Sequence, residues 1–204
     1  MQLPLPFEIN QPKPLQPIPF THKYHVIYCD PPWDYNERNF RNKQQHDTGS
    51  ASDHYPTMTP QELIEFGKKV KSICTESCIC YMWTTGPQLA ISIDVLKAWG
   101  FKYKTIAFVW DKQRTNPGYY TMSQTELCIV GTKKSIPKPR GIRNAYQFHS
   151  IPRSKKHSEK PTIFRNIIHQ MHPEQNKIEL FARNNDQHWD VWGYDAPNPV
   201  ALPF

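Results

Sequence analysis

Short runs of consecutive apolar residues alternate with amphipathic stretches along most of the chain. Tyr24 to Cys29 (YHVIYC) is a β-rich run that stops abruptly at Asp30-Pro31-Pro32, as a buried strand feeding a loop does. After a long polar loop from Trp33 to Tyr55, Thr59-Pro60-Gln61-Glu62 supplies an N-cap, a proline at the first helical position and a capping-box glutamate. This predicts a helix to about Lys71. Cys78 to Trp83 reads as the next strand, Gln88 to Trp99 as a helix closed by Gly100, and Tyr103 to Trp110 and Thr125 to Gly131 as further strands. Pro161 to Met171 reads as a helix and Lys177 to Phe181 as a last strand. Strands that alternate with helices predict an α/β fold, a mostly parallel sheet with helices on both faces. In such sheets ligands bind beyond the carboxyl ends of the strands.

Composition sets the scale. A chain of 204 residues with 38% apolar and 13% aromatic content suits one domain, read here as residues 21–204 behind an arm at 1–20. Six prolines and almost no charge suit that arm to an extended segment that packs on the domain or stays mobile. Five cysteines with no apolar leader suggest reduced thiols and a cytoplasmic setting. The longest apolar runs, such as Cys78 to Trp83, are too short to span a membrane. The net charge of +7 is concentrated: Lys133 to Lys160 holds nine basic residues and one acidic residue, so the remainder is slightly acidic. A basic stretch of this kind is either a solvated face or a contact for a polyanion.

The chemistry centres on Asp30-Pro31-Pro32-Trp33, which follows a predicted central strand. An adenine amino group is a poor nucleophile, because its lone pair is delocalised into the ring. An enzyme that uses it must hold its hydrogens in acceptors. Asp30 offers a carboxylate, Pro31 a carbonyl fixed by a rigid turn, and Trp33 a flat face on which an extracted base could stack. A strong base is unnecessary, since the nitrogen loses its proton only after it becomes cationic. Positioning and electrostatics carry the catalysis.

Several blocks, in order, resemble the MT-A type adenine-N(6) methyltransferases: YHVIYCDPPW, HYPTM at His54 to Met58, YMWTTGPQL at Tyr81 to Leu89, and GYY and TELCIVGTK between Gly118 and Lys133. HSEKP at His157 to Pro161, KIELFAR at Lys177 to Arg183 and WDVWG at Trp189 to Gly193 complete the set. The resemblance covers about Tyr24 to Asp195. It implies a Rossmann-like fold that uses S-adenosylmethionine, in a permuted order with the DPPW strand ahead of the cofactor strand. It further implies that Asp30, Pro31 and Pro32 form the catalytic turn, that Trp33 lines the base pocket and that Asp30 also approaches the cofactor. Lys160 matches a lysine that meets the cofactor carboxylate, Arg183 an arginine beside its ribose, and Glu126 a glutamate of the substrate pocket, while Glu179 supports the strand. The loops from Asp34 to His54 and Asp111 to Gln124 correspond to active-site loops, from which Tyr119 and Tyr120 could stack on bases.

Two departures stand out. Asn184-Asn185-Asp186 follows Arg183 where relatives carry a histidine or arginine, and Tyr194-Asp195 replaces an asparagine followed by a glutamate or glutamine. Asn185 and Asp195 are the expected ribose contacts, since an amide and a carboxylate both bond hydroxyls. No acidic or aromatic cofactor site precedes DPPW. Cys74, Cys78 and Cys80 match no zinc spacing and read as core, so no metal is expected. Lys133, Lys134, Arg140, Arg143, Lys155 and Lys156 are expected to grip a nucleic-acid backbone. DNA is favoured over RNA, and a silent scaffold subunit is the reading from another class. With no room for a recognition domain, a short or relaxed target sequence is expected, and a homodimer or a heterodimer with a related subunit.

Overall fold

The computed structural model describes residues 17–34, 57–118, 120–154, 159–193 and 196–203. Strand β1 (Ile18–Pro19) is followed by β2 (Tyr24–Cys29), α1 (Pro60–Ile73), β3 (Cys74–Thr84), α2 (Leu89–Ala98) and β4 (Lys102–Asn116). Then come β5 (Ser123–Lys133), β6 (Phe148–Ser150), α3 (Thr162–Met171), β7 (Lys177–Leu180), β8 (Asp190–Trp192) and β9 (Val200–Ala201). Seven strands form one sheet in the order β6-β4-β5-β3-β2-β7-β8. Only β5 runs against the rest, since it pairs antiparallel with both β3 and β4 while the other neighbours are parallel. This is the expected Rossmann-like α/β sheet. The DPPW strand β2 lies beside the KIEL strand β7, with matched ends Cys29 and Leu180.

Helices cover both faces, which is why β2 and β3 read as continuous apolar runs. Ile27, Cys29, Leu180 and Ile129 pack with Leu63, Phe66, Val70, Leu96 and Trp99 of the α1 and α2 side. Val26, Tyr28, Trp83, Trp110 and Cys128 pack with Phe164 and Ile168 of α3. Thr59 caps α1 reciprocally with Glu62, as expected. Gly131 is small because α2 presses on β5: an added Cβ would lie 2.8 Å from Leu96 Cδ2. Cys74, Cys78 and Cys80 are all buried core residues.

The structure corrects several expectations. The supposed loop from Asp111 to Gln124 is mostly strand, since β4 continues to Asn116 and β5 begins at Ser123, with those two residues paired. Alternating polar residues had hidden a two-stranded extension that stands clear of the core. Strands β6 and β8 were missed because three residues give no period. The end of the proline-rich arm is ordered, with Ile18 and Pro19 paired in parallel with Val200 and Ala201. Residues 1–16 and the loop at 35–56 lie outside the described residues. Among the described residues, no helix is long and apolar enough to cross a membrane.

Candidate active site

Alternation along the strands assembles the site. Tyr28 and Trp110 face α3, so two residues further on, Asp30 and Lys112 emerge on that face beyond the core. Glu126, opposite Trp110 on the antiparallel β5, points the same way and is the diagonal neighbour of Lys112. Lys160 enters just ahead of α3. The result is a chain of four largely buried charges, of which the Asp30 side chain is the most exposed at 24%. Lys160 Nζ donates to Asp30 Oδ2 at 2.5 Å and lies 3.1 Å from Glu126 Oε2, and Lys112 Nζ donates to Glu126 Oε1 at 3.2 Å. The Lys160 ammonium also sits 5.7 Å from the centre of the Trp83 ring.

Burial and pairing set the charges. The Asp30 carboxyl is raised above the ordinary value, chiefly by burial and further by Glu126, against the opposing pull of Lys160 and Arg183. Burial also pushes Glu126 up, but Lys160 and Lys112 outweigh it and hold the group below its ordinary value. Lys160 is penalised by burial, yet its two carboxylates raise it well above a free lysine. Burial thus favours the neutral form of Asp30, whereas the paired lysines favour the ionised form of Glu126.

The turn after Asp30 is tied down by hydrogen bonds. Trp33 N–H donates to the Pro31 carbonyl at 2.8 Å, Met58 N–H to the Pro32 carbonyl at 2.8 Å, and Asp34 N–H to the Met58 carbonyl at 3.0 Å. HYPTM therefore contributes an anchor through Met58. The Pro31 and Pro32 carbonyls each accept one of these bonds, so each has a second lone pair beyond the bond that anchors the turn. Trp33 departs from expectation: it is 4% exposed in the α1-side core, and its indole N–H donates to the Trp83 carbonyl at 3.2 Å. It braces the turn, and an indole packed on all sides has no open face for a base.

Two cavities meet at Lys160. One opens at the carboxyl ends of β2 and β7 among Asp30, Lys160, Arg165, Glu179, Arg183 and Asn184, with free space of about 20 Å³, room for one water. Its own side chains fill it. Arg165 of α3 pairs with Glu179 at 3.1 Å and donates to the Asn184 carbonyl at 3.4 Å. Burial drives Glu179 up to about 7 despite that guanidinium. The other cavity, about 470 Å³, is walled by Ile151, Pro152 and Ser154 on one side and Pro161, Thr162 and Ile163 on the other. Glu159 sits between the two, accepting from Ser154 Oγ at 2.9 Å and Asn184 Nδ2 at 2.7 Å.

The structure thus brings together Asp30, Pro31, Glu126, Lys160 and Arg183, and adds Lys112, Glu159, Arg165 and Asn184. It does not add Asn185, which is exposed while Asn184 lines the cleft. The strand ends at Leu180 and Phe181 turns with φ 62°, which breaks the alternation that sequence counting relies on. Tyr120 is fully exposed. Tyr119, Lys155, Lys156 and Asp195 lie outside the described residues. Lys112 was overlooked because its segment read as loop, and Arg165 because an arginine on a helix reads as solvent-facing.

The basic segment does not form one surface. Lys133 ends β5 seven residues from Glu126, about 23 Å along the strand. Lys134 pairs with Glu76 there. Gly141 and Ile142 bond the carbonyls of Met171 and Gln170, so Arg140 and Arg143 flank the far end of α3. Among the described basic residues of this segment, Arg153 and Lys160 lie at the reactive end. Replacing Lys133 and Lys134 with glutamine should leave the DNA dissociation constant within about twofold. Arg153→Gln should weaken binding severalfold and reduce the salt slope by about one, read by fluorescence anisotropy against salt.

Comparison with known proteins agrees with this architecture. The MT-A70 family model matches residues 24–195. The chain is 48% identical over 193 residues to the Type II methyltransferase M.MunI of Mycoplasma sp, spanning 89% of this chain and 82% of that protein. It is 28% identical over 173 residues to a putative N(6)-adenosine-methyltransferase MT-A70-like protein of Medicago truncatula. It is 25% identical over 182 residues to the human N(6)-adenosine-methyltransferase catalytic subunit METTL3. It spans only about a quarter of each of those two longer proteins. A match over most of the chain, to a family whose motif blocks converge on one buried charge array, settles the kinship: this chain is a methyltransferase of the MT-A70 family.

Proposed function

We propose that the chain transfers a methyl group from S-adenosylmethionine to the exocyclic amino nitrogen of adenine in DNA. The observation that carries this reading is the intact, buried array of Asp30, Lys160, Glu126 and Lys112 at the carboxyl end of β2, beside the cleft over β7. The donor set of that cleft suits the cofactor: Lys160 and Arg183 are cations for a carboxylate, Asp30 an anion for an ammonium, and Asn184 an amide for a hydroxyl. When bound, S-adenosylmethionine supplies an electrophilic methyl carbon on sulfur. The side chains that fill the cleft must part to admit it, and the Asp30–Lys160 contact is the one a carboxylate ligand would exchange.

We place the target base against Asp30 and the Pro31 carbonyl beside that cleft, since neither residue lines the larger cavity next to Lys160. Asp30 and the free lone pair of the Pro31 carbonyl accept the two amino hydrogens, which favours a pyramidal nitrogen with its lone pair aimed at the methyl carbon. As the new nitrogen–carbon bond forms and the carbon–sulfur bond breaks, the nitrogen becomes cationic. Asp30, held up by burial, takes its proton. Lys160 and Glu126 keep that carboxylate fixed in a site shielded from water.

DNA is favoured because the chain is 48% identical to a Type II methyltransferase of comparable length and only 25% identical to an adenosine methyltransferase subunit about three times as long. We further infer a homodimer with a short or relaxed target sequence, and a catalytic unit formed by residues 21–204. The test is to incubate the protein with labelled S-adenosylmethionine and duplex DNA, single-stranded DNA or RNA, and to identify the methylated nucleoside by mass spectrometry. N(6)-methyladenine in DNA is the expected product. Methylation of RNA alone would move the chain to the other substrate class. Cofactor binding without transfer to any substrate would mean that a partner subunit is required.

A further inference from the structure

We propose that Lys112 is a positioning residue: it satisfies one oxygen of Glu126 so that Lys160 is shared between Glu126 and Asp30, which keeps Asp30 ionised and aimed at the reacting amine. This rests on the methyltransferase reading above and adds a residue to its machinery. Lys112 lies on the polar extension of β4 rather than in the DPPW turn, the HSEKP block or the cofactor strand. Its side chain is only 10% exposed, at 3.2 Å from Glu126 Oε1. A lysine so placed is expensive to bury, and nothing about the packing of β4 against β5 requires a cation there.

Charge balance supplies the reason. With Lys112 in place, each carboxylate of the array has a cation of its own, and Lys160 bridges the two. Without Lys112, Asp30 and Glu126 compete for Lys160 alone in a site with little solvent, and one carboxyl takes up a proton. Glu126 loses one of the two cations beside it and draws Lys160 away from Asp30, whose ionised form burial already disfavours. The other groups that act on Asp30 leave this balance unchanged. They are Arg183 after β7, the paired Glu179 on β7, and the buried neutral Tyr28, Cys29 and Cys128. A protonated Asp30 has lost an acceptor for the amino hydrogens. Lys112 therefore acts on catalysis through Glu126, without touching substrate.

The test follows single-turnover methyl transfer from about pH 6 to about pH 9 in the wild type, Lys112→Met, Lys112→Arg, Glu126→Gln, and Lys112→Met combined with Glu126→Gln. Lys112→Met should move the acid limb up by about one pH unit. The rate then falls roughly tenfold on that limb and recovers at high pH, with KM for DNA within about twofold. Lys112→Arg should restore the wild-type profile. In the Glu126→Gln background Lys112→Met should produce no further shift. An equal loss at every pH, or a further shift in the Glu126→Gln background, would overturn the proposal and leave Lys112 as a packing residue. If Lys112→Met does not fold, Lys112→Gln keeps a polar tip and gives the same comparison. Titration of the Asp30 carboxyl by carbon NMR in the same variants reads the effect without turnover: an unmoved Asp30 refutes it. An inactive wild type would instead sink the DNA-methylation reading.

Discussion

Asp30→Asn is expected to lower the single-turnover methyl-transfer rate by about 10³-fold while the protein stays folded. The substitution keeps the shape but replaces an anionic acceptor with an amide, which presents a donor to one amino hydrogen and cannot take a proton from a cationic nitrogen. Stability should move the other way. The folded state holds the Asp30 carboxyl above its ordinary value, so it prefers the neutral form, and the ionised form costs stability at neutral pH. A neutral isostere removes that cost, and the melting temperature should rise by about 1–3 °C. Calorimetric melting together with a single-turnover assay checks both halves. A variant that loses activity only in proportion to lost stability would remove Asp30 from the chemistry.

Lys160→Met has the largest expected effect on stability. It leaves Asp30 and Glu126 buried and near one another with Lys112 as their only remaining cation in the array. Breaking a buried pair in this way costs about 3–5 kcal/mol, which lowers the melting temperature by roughly 6–20 °C for a chain of this size. The pH dependence is diagnostic. In the wild type the Lys160 contribution is fully present below the ordinary lysine value and is lost as pH rises through its higher folded value. The Glu126 contribution is present above the ordinary carboxylate value and is lost as pH falls through its lower folded value. Between these limits Asp30 gives the array a slope, adding stability as pH falls through its raised folded value. In Lys160→Met both carboxyls are pushed up by burial, so the folded state binds protons more readily than the unfolded chain, and the variant should become more stable as pH falls toward about 5. Melting scans at several pH values separate this slope from a simple packing defect.

Much of the sheet was legible because its central strands are buried on both faces and bounded by proline, glycine or a capping box. Tyr24 to Cys29 is matched to the residue. The candidate carboxylate was legible because Asp30-Pro31-Pro32 ends that run. What stayed hidden depends on tertiary geometry. Trp33 has the chemistry of a stacking platform, and only packing against α1 and α2 shows that it is buried. Asn184 and Asn185 are alike as amides, and the positive φ at Phe181 decides which of them lines the cleft. The basic residues from Lys133 to Arg153 are contiguous in sequence, yet the chain carries them from one end of the sheet to the other. A strand reverses the meaning of proximity along the chain, since seven residues of it separate two sites by the length of the domain.

The pairing of Ile18 and Pro19 with Val200 and Ala201 brings the two ends of the described domain side by side. A short linker between those strands and a break between β4 and β5 would give a chain with a new first residue and the same sheet. Strand order along the polypeptide is therefore a detachable property of this architecture. The reaction depends on β2 lying next to β7 in space, and a gene that encoded them in the opposite order would build the same cleft.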